Sequence, residues 1–268
     1  MAPTSLISEL WRHADKLAAT APIIHNFTNL VVQTDTADAI AATGGTQATL
    51  HTREEARAAA SVAAALAVNV GTLDEDWLAA VKDALDVAAD KGTPWVLDPV
   101  AAGFTDYRTD AARELLRRGP AVLKGNASEI MVMAGAADAG RAAESVHGVD
   151  EAACAAGELA RAHDCVVVVT GAEDLITDGK QQTRVANGNP MMGYMIGSGC
   201  MLTSVIACFL AIASEPFEAA QAAVAYFDVA GEIAAEQANG PGTLKPLFID
   251  ALHALDEGQF RSRARIRA

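Results

Sequence analysis

A chain of 268 residues suits one large α/β domain or two small ones. It is 51% hydrophobic but only 5% aromatic, so its core must come mainly from Ala, Val, Leu and Ile, as where helices pack on a parallel sheet. A formal net charge of −14 argues against a nucleic-acid partner, yet leaves room for a small phosphorylated ligand held by amides, a lysine and a metal ion.

Residues 1–5 lack the basic and apolar segments of a signal peptide. Residues 5–19 read as an amphipathic helix with Leu6, Leu10 and Leu17 on one side. Residues 23–29 read as a strand with polar residues at its end. A helix over 34–43 follows, closed by Gly44-Gly45. Thr52-Arg53-Glu54-Glu55 fits a capping box opening the next helix. Residues 66–71 form a buried strand ending in Asn69 and Gly71, before a helix over 74–91. The pattern repeats: a strand at 95–100 carrying Asp98, a helix near 108–118, and a strand at 121–126 ending in Lys124-Gly125-Asn126. Helices over 126–134 and 150–163 lead to a strand at 165–171 ending in Thr170-Gly171. Residues 175–186 predict a hairpin turning at Asp178-Gly179. The last third is helical, over 200–213, 216–238 and 243–256. The apolar run 200–213 is shorter than the ~20 residues of a membrane span. Residues 261–268 form a basic tail, expected to be loose.

This alternation predicts an α/β fold, with a mainly parallel central sheet and helices on both faces, as a single domain over residues 1–260. Four cysteines without a C-x-x-C pair fit reduced thiols in the cytoplasm, and no membrane association is expected.

In open α/β sheets, ligands bind beyond the carboxyl ends of the strands. Here those ends carry Asn29, Gly71, Asp98, Lys124, Asn126, Thr170 and Gly171. Asp98 either breaks its strand before Pro99 or holds Mg²⁺. Glu129 fits a helix cap with Asn126, and the same geometry points a carboxylate at the crevice. Lys124 closes an apolar strand, and a buried lysine requires a carboxylate or phosphate partner. His25 and His51 show no metal-ligand spacing. Met191, Met192 and Met195 read as core filler. Neither a Walker A motif nor a dinucleotide fingerprint is present. Any phosphate cradle therefore falls to Gly197-Ser198-Gly199-Cys200, where two glycines precede a helix whose free amides attract an anion. The same field is expected to lower the thiol pKa of Cys200.

Together, Phe27-Thr28-Asn29, Asn69-Val70-Gly71-Thr72, Leu97-Asp98-Pro99-Val100, Lys124-Gly125-Asn126-Ala127-Ser128-Glu129-Ile130, Val169-Thr170-Gly171 and Gly197-Ser198-Gly199-Cys200 resemble the hydroxyethylthiazole kinase family, of ribokinase-like fold. The resemblance spans nearly the whole chain. It implies a three-layer kinase in which ATP phosphorylates the hydroxyethyl group of 5-(2-hydroxyethyl)-4-methylthiazole during thiamine synthesis or salvage, with active sites at the interfaces of a homotrimer. It implies that Asn29, Thr49, Gly71 and Gly197 bind substrate and that Lys124, Asn126, Thr170 and Gly171 bind ATP. Asp98 and Glu129 would serve Mg²⁺, Gly197 and Gly199 would form the anion hole, and Cys200 would face the substrate hydroxyl. Four positions depart from the family pattern: Thr49 for Met, Ala101 for Gly, Lys124 for Arg and Ile196 for Thr. Three other readings remain open at this point: a ribokinase-like kinase of another alcohol, such as hydroxymethylpyrimidine, a non-catalytic binder, and a cysteine hydrolase.

Overall fold

The parallel part of the sheet arises because a helix separates each strand from the next in sequence, as a parallel crossover requires. The computed structural model describes residues 4–135 and 148–267. In chain order it begins α1 (Thr4–Thr20), β1 (Ile23–Phe27), α2 (Gln33–Thr43), β2 (Thr46–Ala48), α3 (Arg53–Val62), β3 (Ala65–Asn69) and α4 (Glu75–Lys91). It continues through β4 (Trp95–Asp98), α5 (Asp106–Leu116), β5 (Val122–Asn126), α6 (Ala127–Met133), α7 (Val149–His163) and β6 (Val166–Thr170). An antiparallel pair β7 (Asp174–Thr177) and β8 (Gln182–Val185) precedes a short 3₁₀ turn at Pro190–Tyr194. The chain then closes with α8 (Ser198–Leu210), α9 (Pro216–Gln237), α10 (Pro241–Ala254), α11 (Glu257–Arg263) and β9 (Ile266–Arg267).

The strand order is β2-β1-β3-β4-β5-β6-β7-β8-β9. β1 to β6 pair in parallel, and β6 to β9 pair antiparallel. Alternating strand residues feed two cores. Ile24, Ala67, Val96, Val122 and Val168 pack with α1, α2, α8, α9 and α10, whereas Phe27, Val68, Leu97, Leu123 and Val169 pack with α3 to α7. The three-layer α/β expectation is thus met. The polar residues at the strand ends fall side by side because the register pairs Asn69 with Asp98 and Asn126 with Thr170. The winding reverses at β1, which lies between β2 and β3; the crevice outside such a reversal is where ligands of open α/β sheets bind.

Two local expectations change, and one strand is new. Thr52 does not cap α3 through the backbone; its hydroxyl bonds the Glu55 carboxylate at 3.3 Å. The edge strand β2 is too short to show period-two alternation. The basic tail is not loose. Phe260, Ala264 and Ile266 point inward, β9 extends the sheet beyond β8, and Arg263 and Arg265 meet Glu236 and Glu232 of α9. Reading this segment by charge alone concealed its apolar spacing.

Candidate active site

The site is assembled by a line of hydrogen bonds running across the carboxyl ends of β1, β3 and β4. The Asn29 amide donates to the Asn69 carbonyl oxygen at 3.0 Å and to Cys200 Sγ at 3.4 Å. The Asn69 amide in turn donates to Asp98 Oδ2 at 2.9 Å. That same oxygen accepts from Thr203 Oγ1 at 2.6 Å and from Lys124 Nζ at 3.4 Å. Asp98 Oδ1 is buried with no hydrogen-bond partner among the described residues. Six residues from four strand ends and one helix are therefore joined in one network, three of them directly at Asp98. Thr203 was not singled out from the sequence, although it lies one helical turn after Gly199 and so faces the same way.

Lys124 is 4% exposed. Burial works to lower its pKa, but the charges of Asp98 and Glu129 outweigh it and the ammonium is held above its usual value. The partner expected for this lysine is thus a carboxylate of the protein itself. Glu129 completes a capping box with Asn126 and also accepts the Ala101 N–H at 2.8 Å. Burial and the neighbouring Asp98 charge raise its carboxyl to about 7. The role as a helix cap and the role as a crevice carboxylate are therefore compatible.

Gly197 caps α8 with φ +93°, and a Cβ there would lie 2.5 Å from Val32 Cγ1, so the turn accepts no side chain. The N–H groups of Gly199 and Cys200 have no hydrogen-bond partner among the described residues, as expected for the first turn of a helix. Lys124 Nζ lies directly beneath, 3.0 Å from where a Cβ on Gly199 would stand. Two free amides and an ammonium thus lie close together at the start of α8, which suits an anion. Cys200 departs from expectation: burial and the Asp98 charge raise its thiol pKa, against the smaller pull of Lys124 and the two asparagine amides. At neutral pH the group is a thiol.

Asn126, Thr170, Gly171, Gly197 and Gly199 line a single cavity of about 800 Å³ that extends past Asn187, Gly188 and Asn189 to Asp174 and Asp228. Thr49 is apart from the Asp98 network and bonds Gln47 at 2.8 Å; its place just beyond β2 leaves it on the same rim of the sheet. The loops are tied by Arg108, whose guanidinium donates to the carbonyls of Val70 (2.5 Å), Val100 (3.1 Å) and Gly71 (3.1 Å). Ala101 has φ +57°, a left-handed conformation that a Cβ disfavours by roughly 1–2 kcal/mol, and it keeps that conformation while donating to Glu129. This explains why glycine suits the position in the family pattern. Met192 and Met195 are core residues as expected, and both also line the cavity. Among the described residues no histidine is hydrogen-bonded to Cys200; His25 and His51 bond Leu50 O and Asn26 O. The arrangement of a cysteine hydrolase is absent from the described residues.

A mainly parallel sheet between two helical layers, with a glycine turn and a helix N-terminus over its carboxyl edge, defines the ribokinase-like class of α/β kinases. The fold is shared with the pyridoxal kinase of Staphylococcus aureus in complex with pyridoxal, at a TM-score of 0.61 over 78% of this chain and 87% of that one. At 15% identity that likeness is one of fold alone. The model of the Hydroxyethylthiazole kinase family matches residues 14–258, and the chain belongs to that family. It is 41% identical to a hydroxyethylthiazole kinase of Nitratidesulfovibrio vulgaris, over 96% of this chain and 97% of that protein. It is 43% identical to one of Tolumonas auensis, over 91% and 92% respectively. The hydroxyethylthiazole kinase structure from Pyrococcus horikoshii superposes with a TM-score of 0.90 at 35% identity, covering 97% of this chain and 98% of that one.

Proposed function

We propose that this protein transfers the γ-phosphoryl group of ATP to the hydroxyl of 5-(2-hydroxyethyl)-4-methylthiazole, a step of thiamine synthesis or salvage in the cytoplasm. Family membership supports the acceptor. The observation that carries the chemistry is that the Lys124 ammonium, paired with Asp98, lies against Gly199, whose free amide opens α8 at the wall of a cavity of about 800 Å³.

Phosphoryl transfer needs positioning and charge neutralisation more than covalent help from the protein. Asn29, Gly71 and Thr49 orient the thiazole beside Cys200. Asn126, Thr170 and Gly171 hold the phosphate chain of ATP. The Gly197–Gly199 turn and Lys124 offset charge on the moving phosphoryl group. The alcohol oxygen forms its bond to the γ-phosphorus as the bond to the ADP oxygen breaks, and the minor thiolate form of Cys200 takes the hydroxyl proton late. Asp98 and Glu129 fit a Mg²⁺ ion: Asp98 Oδ1 lacks a partner, and one or two carboxylates plus phosphate oxygens are the usual magnesium donor set. When bound, that ion supplies charge neutralisation between the phosphates.

The test is an ADP-release assay with Mg-ATP and a panel of small alcohols. Hydroxyethylthiazole is expected to give the highest kcat/KM. A preference for hydroxymethylpyrimidine would move the acceptor, and nucleotide binding without ADP release would make the protein a binder.

A further inference from the structure

The cavity of about 800 Å³ reaches well beyond the glycine turn, and its far wall is acidic. Asp174 opens β7 and Asp228 lies midway along α9; both are 6% exposed. One oxygen of Asp174 accepts the Gly171 N–H at 2.8 Å. Asp228 has no hydrogen-bond or ion-pair partner among the described residues, although it is buried in the alanine- and valine-rich stretch of α9. Its carboxylate faces the cavity beside Gly188, where a Cβ would stand 3.7 Å from Oδ1. The nearest cation in chemical terms, Arg265, is committed to Glu232 and Ala186 O. An acid taken out of water without a partner is costly, so a donor supplied from outside is the natural complement. Burial raises both carboxyls, and the Asp174 charge pushes Asp228 higher still.

Position along the sheet narrows what that donor is. Lys124 and Asn126 lie on β5, Thr170 on β6, Asp174 on β7, and Gly188 just past β8. At about 4.8 Å per strand, Asp174 is roughly 10 Å along the edge from β5, with Gly188 and Asp228 farther out. A nucleotide whose phosphates sit at the glycine turn brings its nucleoside to this end. Phosphate oxygens are repelled by two acids. The only hydrogen-bond donors in the neutral part of ATP are the two ribose hydroxyls and the exocyclic amine of the base.

We infer that Asp228, with the free oxygen of Asp174, is a nucleoside-recognition subsite that accepts hydrogen bonds from the ribose hydroxyls or from the exocyclic amine of the phosphate donor. The inference rests on the proposal that ATP occupies this cavity.

The experiment compares KM for ATP, 2′-deoxy-ATP, 3′-deoxy-ATP and the 6-deamino analogue, in wild type and in Asp228→Ala, at saturating hydroxyethylthiazole. At least one analogue is expected to show a KM about five- to tenfold above that of ATP in the wild type, in keeping with the loss of one ordinary hydrogen bond. That penalty disappears in Asp228→Ala, whose KM for ATP rises about tenfold while kcat changes less than twofold. Asp228→Asn, which keeps an acceptor, recovers part of the loss. Because the variant removes an unpaired buried acid, its unliganded melting temperature stays level or rises. Sensitivity to the deoxy sugars assigns the ribose, and sensitivity to the deamino base assigns the amine. A wild type that uses ATP and all analogues with equal KM, or an Asp228→Ala variant unchanged towards ATP, overturns the subsite while leaving the kinase intact. A KM for ATP that depends on sodium or potassium in the wild type alone also overturns it, making the pair a cation seat. A wild type that releases no ADP with any alcohol removes the kinase reading and this one together.

Discussion

Cys200 combines a proposed place by the substrate hydroxyl with a pKa that works against ready ionisation. Burial and Asp98 keep it protonated, while the Asn29 amide fixes its direction. The small thiolate fraction suffices as the base because a loose transition state releases the hydroxyl proton late. The folded-state thiol pKa is raised, so the thiolate population grows with pH above neutrality. Wild-type kcat is therefore expected to climb from about pH 7 and to keep climbing beyond about pH 9, past the range where an ordinary cysteine has ionised. Cys200→Asp supplies an acceptor already ionised at those pH values; it should match or exceed wild-type kcat near pH 7 and respond less to pH. Cys200→Ala should lose about tenfold in kcat, toward the low end of what a positioned acid or base contributes. A phosphocysteine trapped during turnover, or an inactive but folded Cys200→Asp, would falsify the weak-base role.

At the scale of elements, α8 is the piece that turns a row of strand ends into a pocket. It is buried from Met201 to Leu210, so its axis is fixed by both layers of contacts and its N-terminus is held still above Lys124. The turn before it is pressed against Val32 of the α2 cap, and Asp35 of α2 is pinned by Lys245 of α10 at 2.7 Å. Gly197→Val forces a side chain into the 2.5 Å approach to Val32 at a φ that L residues resist. The turn must open, and its amides then miss the phosphate. The expected result is at least a hundredfold loss of kcat, the size seen when a single oxyanion-type donor is removed. Circular dichroism should remain that of the wild type, because α8 itself stays packed. Normal kcat in this variant would withdraw the anion-hole role from the turn.

At the scale of the whole molecule, Leu30, Val31, Tyr194 and Ile196 stand on loops flanking the site, and each is at least 67% exposed. Apolar side chains gathered around a functional crevice are the usual mark of a contact surface. We propose that the homotrimer implied by the family resemblance forms through this surface: sedimentation should give three times the mass of one chain, and a fully active monomer would overturn it. No helix among the described residues is long and apolar enough to cross a membrane. The sequence by itself determined the alternation of strands and helices, because buried strands such as 165–171 are continuous apolar runs and the helices between them carry caps and glycine stops. It also determined which polar residues end the strands, and the motif spacing that marks the family. The tertiary structure alone decided their partners. Asp98, Thr203 and Lys124 share one oxygen only because register and helix axis bring them together, which no local spacing encodes. The docking of residues 257–267 on α9 was decided at the same level, since a basic tail reads as solvated until its acidic and apolar neighbours are in place. The same holds for the Cys200 thiol: the helix terminus visible in the sequence favours ionisation, but burial and Asp98, known only from the fold, prevail. Asp228 lies in plain view as an acid within the apolar run of α9, yet only the cavity around it gives that acid something to bind.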